Sequence, residues 1–225
     1  MAAPLTLASS SPRRKELLEK LGFQVRVVLS GIDESQLPAE LPEDYAKRVA
    51  RAKVLAAVKR LQATLYTSDV EARRSLAAGM PRVDETVRWV IGADTVVVVD
   101  DVIYGKPTDV QEAREMLQKL SGREHLVITG FCLFDLKRAR EGLQAVTTVV
   151  KFKELTRTEI DAYVSVGESM DKAGSYAVQG VGSYLVEYLR GSYTNVVGLP
   201  LCQVVEMMEE MGARDVLPWG VRESL

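Results

Sequence analysis

The sequence predicts a mixed α/β domain, with one mixed, largely antiparallel sheet flanked by helices. Apolar, strand-like runs and segments with a helical apolar stripe are interleaved along the chain without strict β-α-β alternation. The runs HLVITGFCLFD and LQAVTTVVKFKEL are long enough to pair with each other in antiparallel fashion. No linker, internal repeat or low-complexity tract divides the 225 residues, so a single domain spanning 1–225 is expected, with room for two lobes and a sizeable core.

LTLAS reads as a short strand feeding a helix. Ser11 is placed as N-cap and Pro12 as the first helical residue; Leu17, Leu18 and Leu21 share a face, and Gly22 ends the helix. QVRVVLSGI is a second strand, and EDYAKRVARAKVLAAVKRL a helix whose inner stripe of Ala46, Val49, Ala50 and Ala57 also contains Lys53. Thr64 to Thr86 is polar and broken by Gly79 and Pro81, the pattern of a surface insertion or mobile loop at about 64–86. RWVIGADTVVVVDDVIYGKP gives a buried strand, a tight turn at Asp100-Asp101 and a short return strand.

TDVQEAREMLQKLSG is amphipathic, with a Thr108 to Gln111 capping box, a stripe of Val110, Ala113, Leu117 and Leu120, and Gly122 as its stop. Thr156 and Glu159 cap a helix through Tyr163 and Val164. SYAVQGVGSYLVEYL is strand-like with glycine punctuation, and Pro200 opens a last helix carrying Leu201, Val204, Val205, Met208 and Met211. Methionines at that spacing are core.

Composition excludes several function classes. With 29 basic and 31 acidic side chains the net charge is −2, which disfavours general nucleic-acid or membrane-surface binding. One histidine, His125, and two cysteines, Cys132 and Cys202, leave no His/Cys zinc cluster, and the cysteines read as reduced core thiols. Any metal must sit on oxygen ligands, as Mg²⁺ or Mn²⁺ do. Arg13-Arg14 is followed by KELLEKLG rather than an apolar segment, Glu16 and Glu19 disfavour a transit peptide, and no 18-residue apolar stretch occurs, so a cytoplasmic protein is expected.

Several residues carry more than structure requires. Arg13 and Arg14 stand in the first turn of a helix, where the dipole disfavours cations by about 0.3–1 kcal/mol each. With Ser9, Ser10 and Ser11 they suit a phosphate at a helix N-terminus; the plainer alternative is an N-cap with two solvated arginines. Lys53 in an apolar stripe either snorkels or reaches an anion in a cleft. Lys106 in YGKP is by itself a surface lysine.

Asp94 interrupts a strand that otherwise reads as buried, where a carboxylate is costly unless paired, metal-bound or catalytic. Small Gly92 and Ala93 would let a substrate approach it. Glu34 in GIDES is a second acidic candidate. The Gln179 amide is able to read a base edge, or simply to bond backbone in a hairpin. DKAGSYAVQGVGS is not a dinucleotide fingerprint, and GxxxxGK[ST] is absent. Cations, hydroxyls, two carboxylates and a base-reading amide together describe a nucleoside triphosphate site.

In consistent order from about Leu5 to Gly212, LASSSPRRKELL, GIDE, RVARAK, VIGADTVV, GKP, KLSG, HLVITG, DKAGSYAVQG and GSYTNVVGLP resemble the Maf-like nucleoside triphosphate pyrophosphatases. The resemblance implies an ITPase-like fold of two lobes with a deep cleft, and it admits a homodimer. It implies hydrolysis between the α- and β-phosphates with a divalent cation, Mg²⁺ or Mn²⁺. Asp94 would be the proton acceptor and join Glu34 at the metal, while Ser9, Arg13, Arg14, Lys53 and Lys106 would hold phosphate. Arg13, Thr95 and Gln179 match the dTTP/UTP branch, whereas a 7-methyl-GTP branch shows SPWR, GSDQ and EG; modified pyrimidines fit the same site. Members are also linked to control of septum formation, so a nucleotide-binding regulator with little turnover is the alternative. The Thr64–Thr86 stretch is longer than the family's usual link.

Overall fold

The computed structural model describes residues 4–75 and 87–219. Among these, seven strands form one sheet: β1 (Leu5–Leu7), β2 (Val25–Val27), β3 (Trp89–Val99), β4 (Val102–Tyr104), β5 (Glu124–Asp135), β6 (Arg140–Phe152) and β7 (Val186–Arg190). Their order is β2-β1-β3-β5-β6-β7, with β4 on β3. β1 is parallel to both neighbours and every other pairing is antiparallel. The helices are α1 (Pro12–Lys20), α2 (Pro42–Ser75), α3 (Val110–Leu120), α4 (Arg157–Ser165), α5 (Tyr193–Val197) and α6 (Leu201–Met211).

The alternation of β3 explains how helices cover both faces. Trp89, Ile91 and Ala93 pack with Leu17 and Leu18 of α1 and with Val204, Met208 and Met211 of α6. Val97 and Val99 continue that face against Leu117 and Leu120 of α3 and Ile160 and Tyr163 of α4. Val90 meets Val54 and Ala57 of α2 on the opposite face, and Val96 and Val98 meet Ala46. Fully buried Leu18, Ile91 and Leu117 each contribute about 1.5–3 kcal/mol through burial.

Gly92 and Gly130 bring α2 close to the sheet. A Cβ on Gly92 would stand 2.8 Å from Val54 and 3.2 Å from the Ala50 carbonyl oxygen; one on Gly130 would overlap the Ala46 backbone at 2.3 Å. Gly92 is therefore small to seat a helix, and Ala93 lies in the core. Neither opens a path for substrate, contrary to the expectation from sequence.

β3 also carries a notch. β1 covers its edge at Val90 and Ile91, and β4 covers the same edge from Val97 onward. Between them no described strand pairs with it, and the chain leaves β1 there, Ala8 N–H donating to Ile91 O at 2.7 Å, to enter α1. The side chains of Asp94 and Thr95 line a cleft at this gap, one from each face of the strand.

Several local expectations are corrected. QVRVVLSGI contributes only three strand residues, because the chain turns away after Val28 bonds Leu7. The helix expected to stop before Thr64 runs to Ser75, so the first part of the Thr64–Thr86 stretch is helical; 76–86 lie outside the described residues. α3 is capped one position later than expected, by Asp109 accepting from Glu112 N, while Thr108 bonds the Glu112 carboxylate. Val110 is exposed and Met116 takes its place in the buried stripe. SYAVQGVGSYLVEYL is strand only over β7, preceded by a 3-10 turn at Gly180–Leu185. Cys132 is buried, but Cys202 is exposed and donates to Glu206. No described helix is long and apolar enough to cross a membrane.

Candidate active site

Every residue singled out from the sequence lines one cleft of about 840 Å³: Ser9, Arg13, Arg14, Glu34, Lys53, Asp94, Thr95, Lys106 and Gln179. Its volume is in the range of small-molecule sites. The notch of β3 forms its floor.

Asp94 is buried, and its Oδ1 accepts from Lys53 Nζ at 2.7 Å. The same ammonium donates to Glu34 Oε2 at 2.9 Å. Lys53 therefore does not snorkel; the helix stripe carries it over Gly92 directly to the two carboxylates. Glu34 sits on the loop after β2 with its side chain half exposed, and Tyr45 Oη donates to its backbone carbonyl at 2.7 Å. Burial, reinforced by the charges of Asp94 and Glu34, pushes the Tyr45 phenol up to about 12, so it remains a donor at neutral pH. Arg48 holds the loop further along, donating to Ser35 O and pairing with Glu40.

The two arginines diverge. Arg14 is buried and its guanidinium donates to Gly198 O at 2.8 Å, Ser9 Oγ at 3.0 Å and Thr95 Oγ1 at 2.9 Å. Burial lowers its pKa, with the charges of Asp94 and Glu34 opposing that shift and Arg13 adding to it. Arg13 points across the cleft to Asp171 at 3.3 Å, in an exposed pair. Lys106 is exposed, Gln179 is half-buried, and among the described residues neither side chain has a hydrogen-bond partner.

Thr95 is less free than expected. Thr129 Oγ1 donates its proton to Asn195 O at 2.9 Å, so at 2.9 Å from Thr95 Oγ1 it must accept. Thr95 thus donates to Thr129 and accepts from Arg14, and its hydroxyl proton is already used. Asn195, buried, donates to Val127 O and Thr148 Oγ1, both at 3.0 Å, and so locks α5, whose end presents Gly198 O to Arg14. This explains GSYTNVVGLP, a motif whose residues carried no role in the sequence; its signal was a buried Asn inside an apolar run.

The far wall is formed by Asp171, Lys172, Tyr176 and Gln179. Tyr176 is buried and bonds His125 Nε2 at 2.8 Å, with Phe152 packed edge-on to both rings. Burial pushes His125 down to about 4.

A family model described as Maf-like protein matches residues 4–211. The chain belongs to the Maf-like family. Among curated Maf-like relatives, a dTTP/UTP pyrophosphatase of Geobacter sulfurreducens is 46% identical, the match covering 93% of this chain and 97% of that one. Proteins of the same description from Syntrophotalea carbinolica (44%; 93% and 85% covered) and Ruminiclostridium cellulolyticum (41%; 93% and 97%) also match. The Staphylococcus aureus Ham1 protein shares the fold, with a TM-score of 0.50 at 11% identity over 92% of this chain and 99% of that one.

Proposed function

We propose that the cleft binds a pyrimidine nucleoside triphosphate, dTTP or UTP and their modified forms, and hydrolyses it between the α- and β-phosphates. Water adds to phosphorus as the bridging P–O bond breaks, giving the nucleoside monophosphate and pyrophosphate. The observation that carries this reading is Asp94 at the open notch of β3: Lys53 occupies Oδ1, and Oδ2 takes no hydrogen bond among the described residues. A carboxylate so held can accept the proton of an attacking water. The descriptions of the Maf-like relatives supply the reaction class.

Arg13, Lys53 and Lys106 would face the phosphates and offset their charge. Arg14 and Ser9 act behind them, since their bonds to each other, Gly198 and Thr95 hold the β1–α1 turn in shape. The Gln179 amide, unpaired on the far wall, matches the N3–H and a carbonyl of thymine or uracil. Among the described residues no group of three or more His, Cys, Asp or Glu is arranged for a metal. Asp94 and Glu34, already gathered on one cation, nevertheless suit Mg²⁺ or Mn²⁺, which takes one or two carboxylates and completes its shell with phosphate oxygens and water. When bound, that ion would neutralise phosphate charge. On this reading the protein works in the cytoplasm, on the nucleotide pool there.

The test is pyrophosphate release from dTTP, UTP, CTP and GTP with Mg²⁺ or Mn²⁺, run beside Asp94→Asn. Release from dTTP and UTP, lost in the variant, is expected. Nucleotide binding without turnover in the unmodified protein would assign the cleft to a regulator instead.

A further inference from the structure

The backbone on both sides of Gln179 is held by side chains from α4 and the segment after it. On the near side, Ala177 N–H donates to Tyr163 Oη at 3.1 Å, and Tyr163 is buried. On the far side, Val181 N–H donates to Glu168 Oε1 and Gly182 N–H to Glu168 Oε2, each at 3.2 Å. Lys172 Nζ closes the same segment by donating to Glu168 O at 2.7 Å.

The glycines of VQGVGS follow from this bracket. A Cβ on Gly180, whose φ is +69°, would stand 2.6 Å from Glu168 Oε1; one on Gly182 would stand 2.5 Å from the Ala177 carbonyl oxygen and 2.6 Å from Tyr163 Oη. Their spacing, which fits no dinucleotide fingerprint, leaves the space that these two side chains and the Ala177 carbonyl need. Gln179 itself has extended backbone, does not cap the turn that follows, and lines the cleft with its amide making no hydrogen bond among the described residues.

An amide alone is a poor discriminator. It matches N1–H and O6 of guanine as well as N3–H and O4 of thymine, both being a donor beside an acceptor. One ring is told from two only if the amide stands at a fixed distance from the sugar and phosphates. We infer that Glu168 and Tyr163 are positioning residues for base selection: by bracketing Gln179 they hold its amide where a one-ring base reaches it and a two-ring base does not fit. This rests on the proposal that Gln179 meets the base.

The experiment compares kcat/KM for dTTP and dGTP in the unmodified protein, Glu168→Gln, Gln179→Ala and the double variant. A glutamine at 168 keeps size but turns an NH₂ toward one of the two backbone N–H groups. Glu168→Gln is expected to lower the dTTP:dGTP ratio about tenfold, mainly through KM, with kcat on dTTP nearly unchanged. In the Gln179→Ala background it should shift the ratio no further, because it acts through Gln179. If Gln179→Ala moves the ratio and Glu168→Gln does not, the bracket is overturned and the base reading stands. If Gln179→Ala leaves the ratio unmoved, the base reading fails and the inference with it. An equal further shift in the double variant would also overturn the bracket. Should Glu168→Gln not fold, Tyr163→Phe decides in its place: it removes only the acceptor of Ala177 N–H, and an unchanged ratio overturns the inference.

Discussion

Asp94 and Gln179 line one cleft, and the sides of it that carry them are built by different means. Asp94 belongs to β3, bonded along its length to β5 and packed under α2. Gln179 belongs to a loop whose place depends on side-chain groups, Tyr163 Oη, the Glu168 carboxylate and the His125–Tyr176 pair. Where a ladder holds a residue, replacing it removes chemistry and leaves the frame. Where side chains hold the backbone, replacing one of them moves a functional group that is itself untouched. On the proposed function, the first side suits a group that must sit still at phosphorus, the second a group that selects among bases.

The comparison breaks first at Asp94. Asp94→Asn is expected to cut pyrophosphate release about 10²–10⁴-fold with little change in thermal unfolding, since β3 keeps its ladder and Lys53 keeps Glu34 as its partner. Retention of more than roughly a few per cent of the rate would remove Asp94 from the proton-accepting role.

Lys53→Met tests how far the sheet wall relies on charge. It strands the buried Asp94 carboxylate and should cost about 3–5 kcal/mol in denaturant unfolding. Adding Asp94→Asn should recover part of that loss; a double variant as unstable as the single one would mean that helix packing, not charge, is at stake.

Acid should loosen the loop wall through His125. Its pKa of about 4 lies below the ordinary 6.5, so as pH falls from 6.5 to 4 the unfolded chain takes up a proton that the folded chain refuses. Stability present above pH 6.5 is lost across that window, by about 3 kcal/mol. Unfolding free energies from pH 7 to 4, compared with His125→Gln, isolate this share; parallel curves for the two proteins would contradict it.

The arginine pair gives the smallest and sharpest contrast. Arg14→Lys should lose about 2–3 kcal/mol, because one ammonium cannot hold Gly198, Ser9 and Thr95 at their present directions. Arg13→Lys should stay within about 0.5 kcal/mol in stability and act on KM for the nucleotide. Equal stability losses would show that the two arginines share one job.

What was legible in the sequence was local. Apolar runs located β3, β5 and β6, helical stripes located α1 and α6, and a capping pair located α4, because the need for burial and for caps is written residue by residue. Asp94 and Lys53 stood out for the same reason, each an ionisable group in an apolar stripe that must find a partner. The β3–β4 turn was equally local: Asp100 and Asp101 both take positive φ there, as short polar side chains tolerate.

What only the tertiary structure decided depends on groups far apart in the chain. Arg13 and Arg14 are alike in any window, and their uses part only because Gly198 and Thr95 reach one of them, across 184 and 81 positions. Gly92 offered room for a substrate until α2 occupied that room. Glu168 and the glycines of VQGVGS make sense only once α4 lies behind the loop. A sequence records which groups need partners, through the cost of burying them alone, whereas the choice among partners is made by the packing of elements that no local window contains.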